Sequence, residues 1–592
     1  MLYDQVQFDG VSAPSAEGPV RLDIACVLGF VAPREGAVAA PGLAPGLARW
    51  LERGGYLSRA EIAGEVPVSL IDRPVPVRSL ADVERYFDLD ARLDRLAELR
   101  GGVIPGVIGA ETALEPFGVS VDGRLHEVPL EGVNRNTRRI AAHLDAALDG
   151  VLVWIDDSDA GRRLHLRRDP GRGPGTLSVL AHPVLGFHRA MHVAARPVGT
   201  AMGAALRQVF AMGAREAIVI SLGAPRPVLS PPEARATDLA RLLAVDPAGV
   251  IAPMSFSADF PPAHIEASAR HGLSHLFGLE EAGLLLLPDL PDLVAGARAA
   301  APDLPGGPRA TPGFAECLPR PASAPRGRAT DLGAPLCDAP GRDLWMAAMA
   351  RITGFLGQFR RDMIALAALP ELAPGLELLP GPPASELLML AGPFVTTNAS
   401  ADQPGGVMGA DAVLGGQLVA HLAGPFPHGS MAATPVRGLR ALEAGTHRTR
   451  HAGVCWLTQG PGAFRFASDV MTDAQGIWRS GPARRMMARL LKHAQRLGGG
   501  LVFEPISDRL MREVALSFET VLRGIEAEGG LRPGPGDPGY TVLCDRTTTS
   551  AQDRESGRLR AEIGFRPASP IEMIRVLLPV GGGFPGAAGG TP

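Results

Sequence analysis

Apolar positions along this chain recur with two periods, and each change of period marks an element. Between residues 508 and 528, Leu510, Val514, Phe518, Val521, Leu522 and Ile525 fall three and four apart, which gathers them on one face of a helix. Asp508 is placed to cap that helix and Gly529-Gly530 to end it. Trp345, Met349, Ile352, Phe355, Phe359 and Met363 keep the same spacing over a second long helix, and residues 481–497 give a third. Shorter helices are expected over 80–89, after Ser79, and around Leu206, Val209 and Phe210, where Gly213 breaks the pattern. Short, mostly apolar runs predict buried strands at 20–31, 75–77, 217–222, 250–253, 284–287, 387–395 and 501–503. The run at 217–222, Ala-Ile-Val-Ile-Ser-Leu, has no polar face, as a parallel sheet covered on both sides requires. Further strands are expected at 540–544 and 560–565, followed by an apolar terminal run at 571–580.

Elsewhere the periodicity fades. Residues 101–197 alternate short β-like pieces, such as 126–130 and 151–155, with Gly, Pro and Asp turns, the pattern of an inserted β-rich domain. Residues 300–341 are rich in Pro, Gly and Ala and read as an insertion or exposed loop. Leu2, Val6 and Phe8 lie in a short extended segment that has no core of its own and must pair with something else or stay disordered.

Composition narrows the classes. At 592 residues the chain has room for three to four domains of about 150 residues each. A net charge of −4 with 20% charged residues gives no basic bias toward nucleic acid. Lys492, the only lysine, follows Leu491, so the Gly-Lys pair of a phosphate-binding loop is absent. Five scattered cysteines without C-x-x-C spacing imply neither a disulfide framework nor a zinc knuckle, and fit a reduced compartment. The first residues lack a basic and apolar leader, and no apolar run approaches the roughly 18 residues that span a bilayer. Cytoplasmic synthesis without membrane insertion is the expectation.

Candidate chemistry is sparse. Gly429-Ser430-Met431-Ala432, with Pro435 nearby, has the small residues of a subtilase serine motif. A triad also needs an Asp and a His in their own contexts; Asp159 and His271 are the nearest candidates, and neither has one. Ser430 therefore reads as part of a small-residue turn. The pairs His188/His192, His271/His275 and His447/His451 have i, i+4 spacing but no following Glu and no third ligand. The glycine-rich stretch at 581–586 is not followed by a helix, which excludes a dinucleotide loop. No catalytic, metal or cofactor residue is assigned. One pattern is less ordinary. Arg485, Arg489, Lys492 and Arg496 fall within roughly 60° of one another on the third helix. Met486, Leu490, Ala494 and Leu497 lie opposite, and no acid interrupts the stripe. Like charges four apart repel, and an acidic partner surface would relieve them.

Val502-Phe503-Glu504-Pro505, Cys544-Asp545-Arg546-Thr547-Thr548 and Glu562-Ile563-Gly564-Phe565 with Pro567 occur in this order and spacing. Together they resemble the C-terminal domain of contractile tail sheath proteins of tailed phages and related injection machines. The strand at 20–31, the strand–Ser79–helix pattern and the helix–Gly213–strand pattern are similar to the same family. The resemblance implies an α/β (α+β multidomain) fold, with a subtilisin-like central domain that lacks a catalytic triad. The implied parts are an N-terminal arm at 1–19, a first part of the core at 20–100 and the inserted β-rich domain at 101–197. A central domain at 198–430, containing the 300–341 insertion, precedes a sheath C-terminal domain at 431–570. A C-terminal arm and tail occupy 571–592.

It further implies a subunit that assembles with copies of itself, as stacked hexameric rings, around an inner tube protein, with baseplate and terminal cap proteins at the ends. Contraction would drive the tube through a target envelope without a cofactor, and the finished chain would sit in a phage tail or tail-like particle. Leu2, Val6 and Phe8, with Ile571, Met573, Ile574, Val576 and Leu578, are the implied inter-subunit arms, completing neighbours' sheets. Arg485, Arg489, Lys492 and Arg496 are the implied tube contact. The alternatives are a subtilase-like serine hydrolase and a baseplate or cap component that shares the C-terminal domain.

Overall fold

The computed structural model describes residues 20–34, 44–94, 97–158, 161–168, 175–195, 197–228, 230–245, 260, 265–300, 332–377, 381–443, 451–473, 478–501, 504–568 and 574–580. The chain is a mixed α/β, multidomain protein. An eight-stranded sheet lies at its centre, in the spatial order Ala463–Phe466, Val454–Gly460, Leu388–Gly392, Ile364–Ala368, Leu284–Leu286, Ala25–Gly29, Ala217–Ser221 and Pro74–Val77. The five inner junctions are parallel and the two outer ones antiparallel. Pro74 and Pro76 cannot donate to a ladder, which suits them to the edge they occupy.

Alternating residues of these strands feed two cores. Val27, Val219, Leu286 and Leu366 face the helices Ala201–Ala211 and Ala410–Leu422, while Cys26, Leu28, Ile218 and Leu285 face Pro232–Leu243 and Ala339–Phe359. Both faces of the sheet are therefore dry, which is why its strands read as unbroken apolar runs. The helix Ala410–Leu422 is buried over most of its length and so has no polar face for a periodic pattern to reveal. Its Gly415 and Gly416 allow close approach: a Cβ there would meet Leu286 Cδ2 at 2.7 Å and Met212 Cγ at 2.8 Å.

A separate core draws on residues between Ala97 and Phe187. It lies under an antiparallel sheet of Glu98–Val103, Gly161–Arg168 and Val151–Ser158, and a second of Met191–Ala194, Thr176–Val179, Phe117–Val121 and Arg124–Val128. This region also holds the helix Thr137–Ala147, which its turn-rich sequence does not predict. A further core joins the helices Gly481–Gly500 and Asp508–Ala527 to the antiparallel sheet Tyr540–Leu543, Leu559–Phe565 and Ile574–Val580.

Several expectations need correction. Residue 501 is a turn at the end of its helix rather than the start of a strand, and 502–503 lie outside the described residues, as does 250–253. The helix Asp508–Ala527 is capped by Ser507, whose Oγ accepts from Leu510 N at 3.2 Å; Asp508 occupies the first turn. The expected loop at 300–341 contributes the strand Leu332–Cys337 and the start of the helix Ala339–Phe359, while 301–331 lie outside the described residues. The expected strand at 387–395 divides into Leu388–Gly392 and Val395–Thr397. Val454–Gly460 pairs with Leu388–Gly392 in the central sheet, so a boundary at residue 430 cuts that sheet.

Candidate assembly surface

Two of the three segments that carry the family resemblance, 544–548 and 562–567, lie in or beside the C-terminal sheet, whereas Glu504 and Pro505 precede the helix Asp508–Ala527. Asp545 Oδ1 accepts from Thr547 N at 2.7 Å, closing the turn after Tyr540–Leu543. Arg546 reaches back to Asp508 at 2.9 and 2.6 Å and ties this turn to the start of the helix. Glu562, Ile563, Gly564 and Phe565 lie in the middle strand. The last strand, Ile574–Val580, runs antiparallel beside it, pairing Ile574 with Phe565, Val576 with Ile563 and Leu578 with Ala561. Of the remaining arm residues, Leu2, Val6, Phe8, Ile571 and Met573 lie outside the described residues.

The basic stripe is where the structure departs most from expectation. Three adjacent parallel strands begin at Leu284, Ile364 and Leu388, and the residues just before them line the amino end of the sheet. The helix Gly481–Gly500 lies across that end. Arg484 Nε donates to Glu386 O at 3.0 Å, and its guanidinium also bonds Arg361 O. Lys492 Nζ donates to Ala282 O at 2.7 Å, bonds Glu280 O, and lies 3.4 Å from Asp362. Arg484 and Lys492 are about 12 Å apart along the helix, close to the roughly 10 Å spanned by three strands.

Arg485 is fully buried and forms a two-pronged ion pair with Asp469, both bonds 2.8 Å, while Nη2 donates to Gly429 O at 3.0 Å. Arg489 bonds Glu528 at 2.8 Å, with His428 Nε2 also at 2.8 Å. Arg496 is half-buried near the helix end.

Arg485, Arg489 and Lys492 thus find their acids within the chain, in segments that a local sequence window does not contain. Arg485 and Lys492 are fastenings of the fold and not a tube-facing stripe; Arg489 is engaged in the same way. Burial would raise the Asp469 and Asp362 carboxyls, but the charges of Arg485, and of Arg360 with Lys492, hold both below the usual range. Burial pushes Lys492 down to about 8, opposed by Asp362. Burial, then Arg489, pushes His428 down to about 4, so it is neutral near pH 7.

The candidate serine and histidines do not form a site. Ser430 is exposed, and its Oγ accepts from Ala432 N at 3.3 Å to cap the 3₁₀ turn Met431–Ala433. Met431 N in turn donates to Asp469 at 3.0 Å, which places this turn over the Arg485 ion pair. His271 and His275 both bond Asp72, at 2.7 and 3.0 Å. His192 lies on a strand beside Ser178, and Asp159 and His447 lie outside the described residues. Among the described residues no group of three or more His, Cys, Asp or Glu could hold a metal ion, and no helix is long and apolar enough to cross a membrane.

The carboxyl end of the parallel strands, where open α/β sheets hold ligands, is filled by charged side chains that the sequence did not flag. Asp292 lies between Arg92 and Arg298, and Arg226 pairs with Asp238 at 2.7 Å. Burial would raise Asp292, but the charges of Arg298 and Arg92 bring it to about 2. The Asp289 carboxyl accepts a 2.9 Å bond from Phe30 N, and burial pushes it up to about 7.

No family model and no curated protein matches the chain. Among solved structures it is similar to the sheath tail protein Lin1278 from Listeria innocua, with TM-score 0.36 and 9% identity over 98% of this chain and 99% of that one. The sheath complex of an extracellular contractile injection system, PVC, in its contracted state gives TM-score 0.38 and 13% identity over 62% of this chain and 77% of that one. The contracted helical sheath of the anti-feeding prophage gives TM-score 0.37 and 15% identity over 62% of this chain and 79% of that one.

Proposed function

We propose that this chain is the sheath subunit of a contractile tail or contractile injection system. Copies stack as hexameric rings around an inner tube, with baseplate and cap proteins at the ends. The energy of contraction is stored in subunit contacts during assembly, so the device is a bistable packing of rigid domains and needs no cofactor. The observation that carries the reading is the C-terminal sheet. Its turn and middle strand hold two of the segments that resemble the sheath family, and its edge is filled by the chain's own last strand, Ile574–Val580.

A terminal strand at a sheet edge is exchangeable. The backbone bonds it makes within one chain can be made in the same register to the next copy, as in strand addition and domain swapping. Leu2, Val6 and Phe8 form the second arm, and Ile571, Met573, Ile574, Val576 and Leu578 the first, so that subunits slide and rotate while remaining linked. The tube contact is made by residues other than the buried Arg485 and Lys492. The finished subunit resides in a phage tail or tail-like particle.

Negative-stain electron microscopy of the purified full-length chain, under conditions that favour polymerisation, tests the reading. Striated hollow tubes are expected. A chain that stays monomeric at high concentration, both alone and in the presence of its tube protein, would refute it.

A further inference from the structure

The sheet Glu98–Val103, Gly161–Arg168 and Val151–Ser158 buries one face against its own core, through Leu99, Leu164, Leu166, Val151 and Val153. Its other face carries Arg163, His165 and Arg167 from the middle strand. Cross-strand register sets His165 opposite Trp154 and Arg100, Arg167 opposite Leu152 and Glu98, and Arg163 opposite Asp156.

Trp154 lies on His165 with ring centroids 5.1 Å apart and 29° between planes, and the Arg167 guanidinium sits 5.1 Å from its ring centre. The carboxylates on this face are already engaged: Glu98 bonds His165 Nδ1 at 3.1 Å, and Asp156 lies 3.5 Å from Arg100. Arg163 and Arg167 are left over. Among the described residues, Arg163 makes a single long bond, 3.4 Å, to Gly101 O, and Arg167 has only the tryptophan ring. Among the described residues neither has an ion-pair partner, and the Nε atoms of both are shielded from water without a hydrogen bond. The outer guanidinium N–H groups of these half-buried side chains are what an arriving acceptor can meet.

We infer that this face is a binding platform for an acidic polysaccharide. The half-buried Trp154 offers an apolar plane on which a sugar ring stacks. Arg163 and Arg167 receive its carboxylate groups, and the spare lone pairs of Glu98 and Asp156 accept its hydroxyls. A sheet face suits an extended polymer, whereas small molecules prefer concave pockets. Single-stranded nucleic acid fits less well, because one aromatic cannot stack the successive bases that such proteins hold. The inference stands apart from the sheath reading and uses none of its contacts.

The full-length chain is titrated calorimetrically with oligogalacturonate, with maltoheptaose as the neutral control and oligothymidylate as the nucleic-acid control. Oligogalacturonate is expected to bind about tenfold tighter than either control at low salt, and to weaken as salt rises. Trp154→Ala and the double change Arg163→Gln/Arg167→Gln should each weaken binding about tenfold. Trp154→Phe, which keeps a smaller plane on His165, should lose less and separates loss of stacking from misfolding. Equal binding of acidic and neutral sugars, unchanged binding by the double variant, or tighter binding of oligothymidylate would overturn the proposal. So would a double variant that retains its fold but no longer self-assembles, since this face would then be a contact between copies.

Discussion

The helix Gly481–Gly500 and the strand Gly161–Arg168 each carry a row of cations with no acid in the same element, yet the fold consumes the first row and leaves part of the second unpaired. The difference lies in what each backbone faces. The helix lies across the start of the central sheet, where loops from distant parts of the chain supply Asp362 and several backbone carbonyls; Asp469 and Glu528 arrive from neighbouring segments. The strand sees mainly its two neighbours in register. Their acids, Glu98 and Asp156, are within reach of His165 and Arg100, and among the described residues no acid pairs with Arg163 or Arg167. A row of like charges is therefore informative about partners only where no second layer of the fold can reach it.

Breaking the buried row should have the largest effect. Arg485→Ala leaves Asp469 charged and dry, and removing one partner of a buried pair costs about 3–5 kcal/mol. Urea unfolding should show that loss, and limited proteolysis should release the C-terminal helices and sheet from the central sheet. A variant as stable as the parent would show that water reaches this pair.

Asp289 sharpens the comparison from the acidic side, because it is buried and, among the described residues, has one backbone donor and no paired cation. Its folded carboxyl holds a proton up to about 7, well above the ordinary aspartate value. The stability it contributes is thus full in acid and is lost as pH rises toward and through 7. Asp289→Asn does not titrate, so its stability relative to the parent should rise by on the order of 3 kcal/mol from pH 4 to pH 8. Thermal or urea unfolding at the two pH values measures this. A constant difference would mean that Asp289 is ionised throughout.

The open row should matter least to the fold. Arg163→Gln/Arg167→Gln should change stability by no more than about 1 kcal/mol, the scale of one partly exposed cation–π contact. A loss comparable to that of Arg485→Ala would erase the contrast.

What could be read in advance follows the same physics. Amphipathic helices such as Asp508–Ala527, and strands dry on both faces such as Ala217–Ser221, announce themselves by period or by its absence. The buried helix Ala410–Leu422 does not, since a helix apolar all round has no contrast to detect. The Asp545-Arg546-Thr547-Thr548 turn was legible as a motif, but its bond to Asp508 was not. The stripe on Gly481–Gly500 was legible as a face. Its direction was not, because its acids lie outside the local pattern.

The central claim is that the last strand links copies of the chain. Six apolar side chains in 571–578, each worth roughly 1.5–3 kcal/mol when buried, give on the order of 10 kcal/mol per arm before ordering costs. The most direct test is electron microscopy of a chain ending at Pro570, beside the full-length chain at equal concentration. Soluble, folded monomers that form no tubes are the predicted result. Tubes of normal length and diameter from the shortened chain would contradict it.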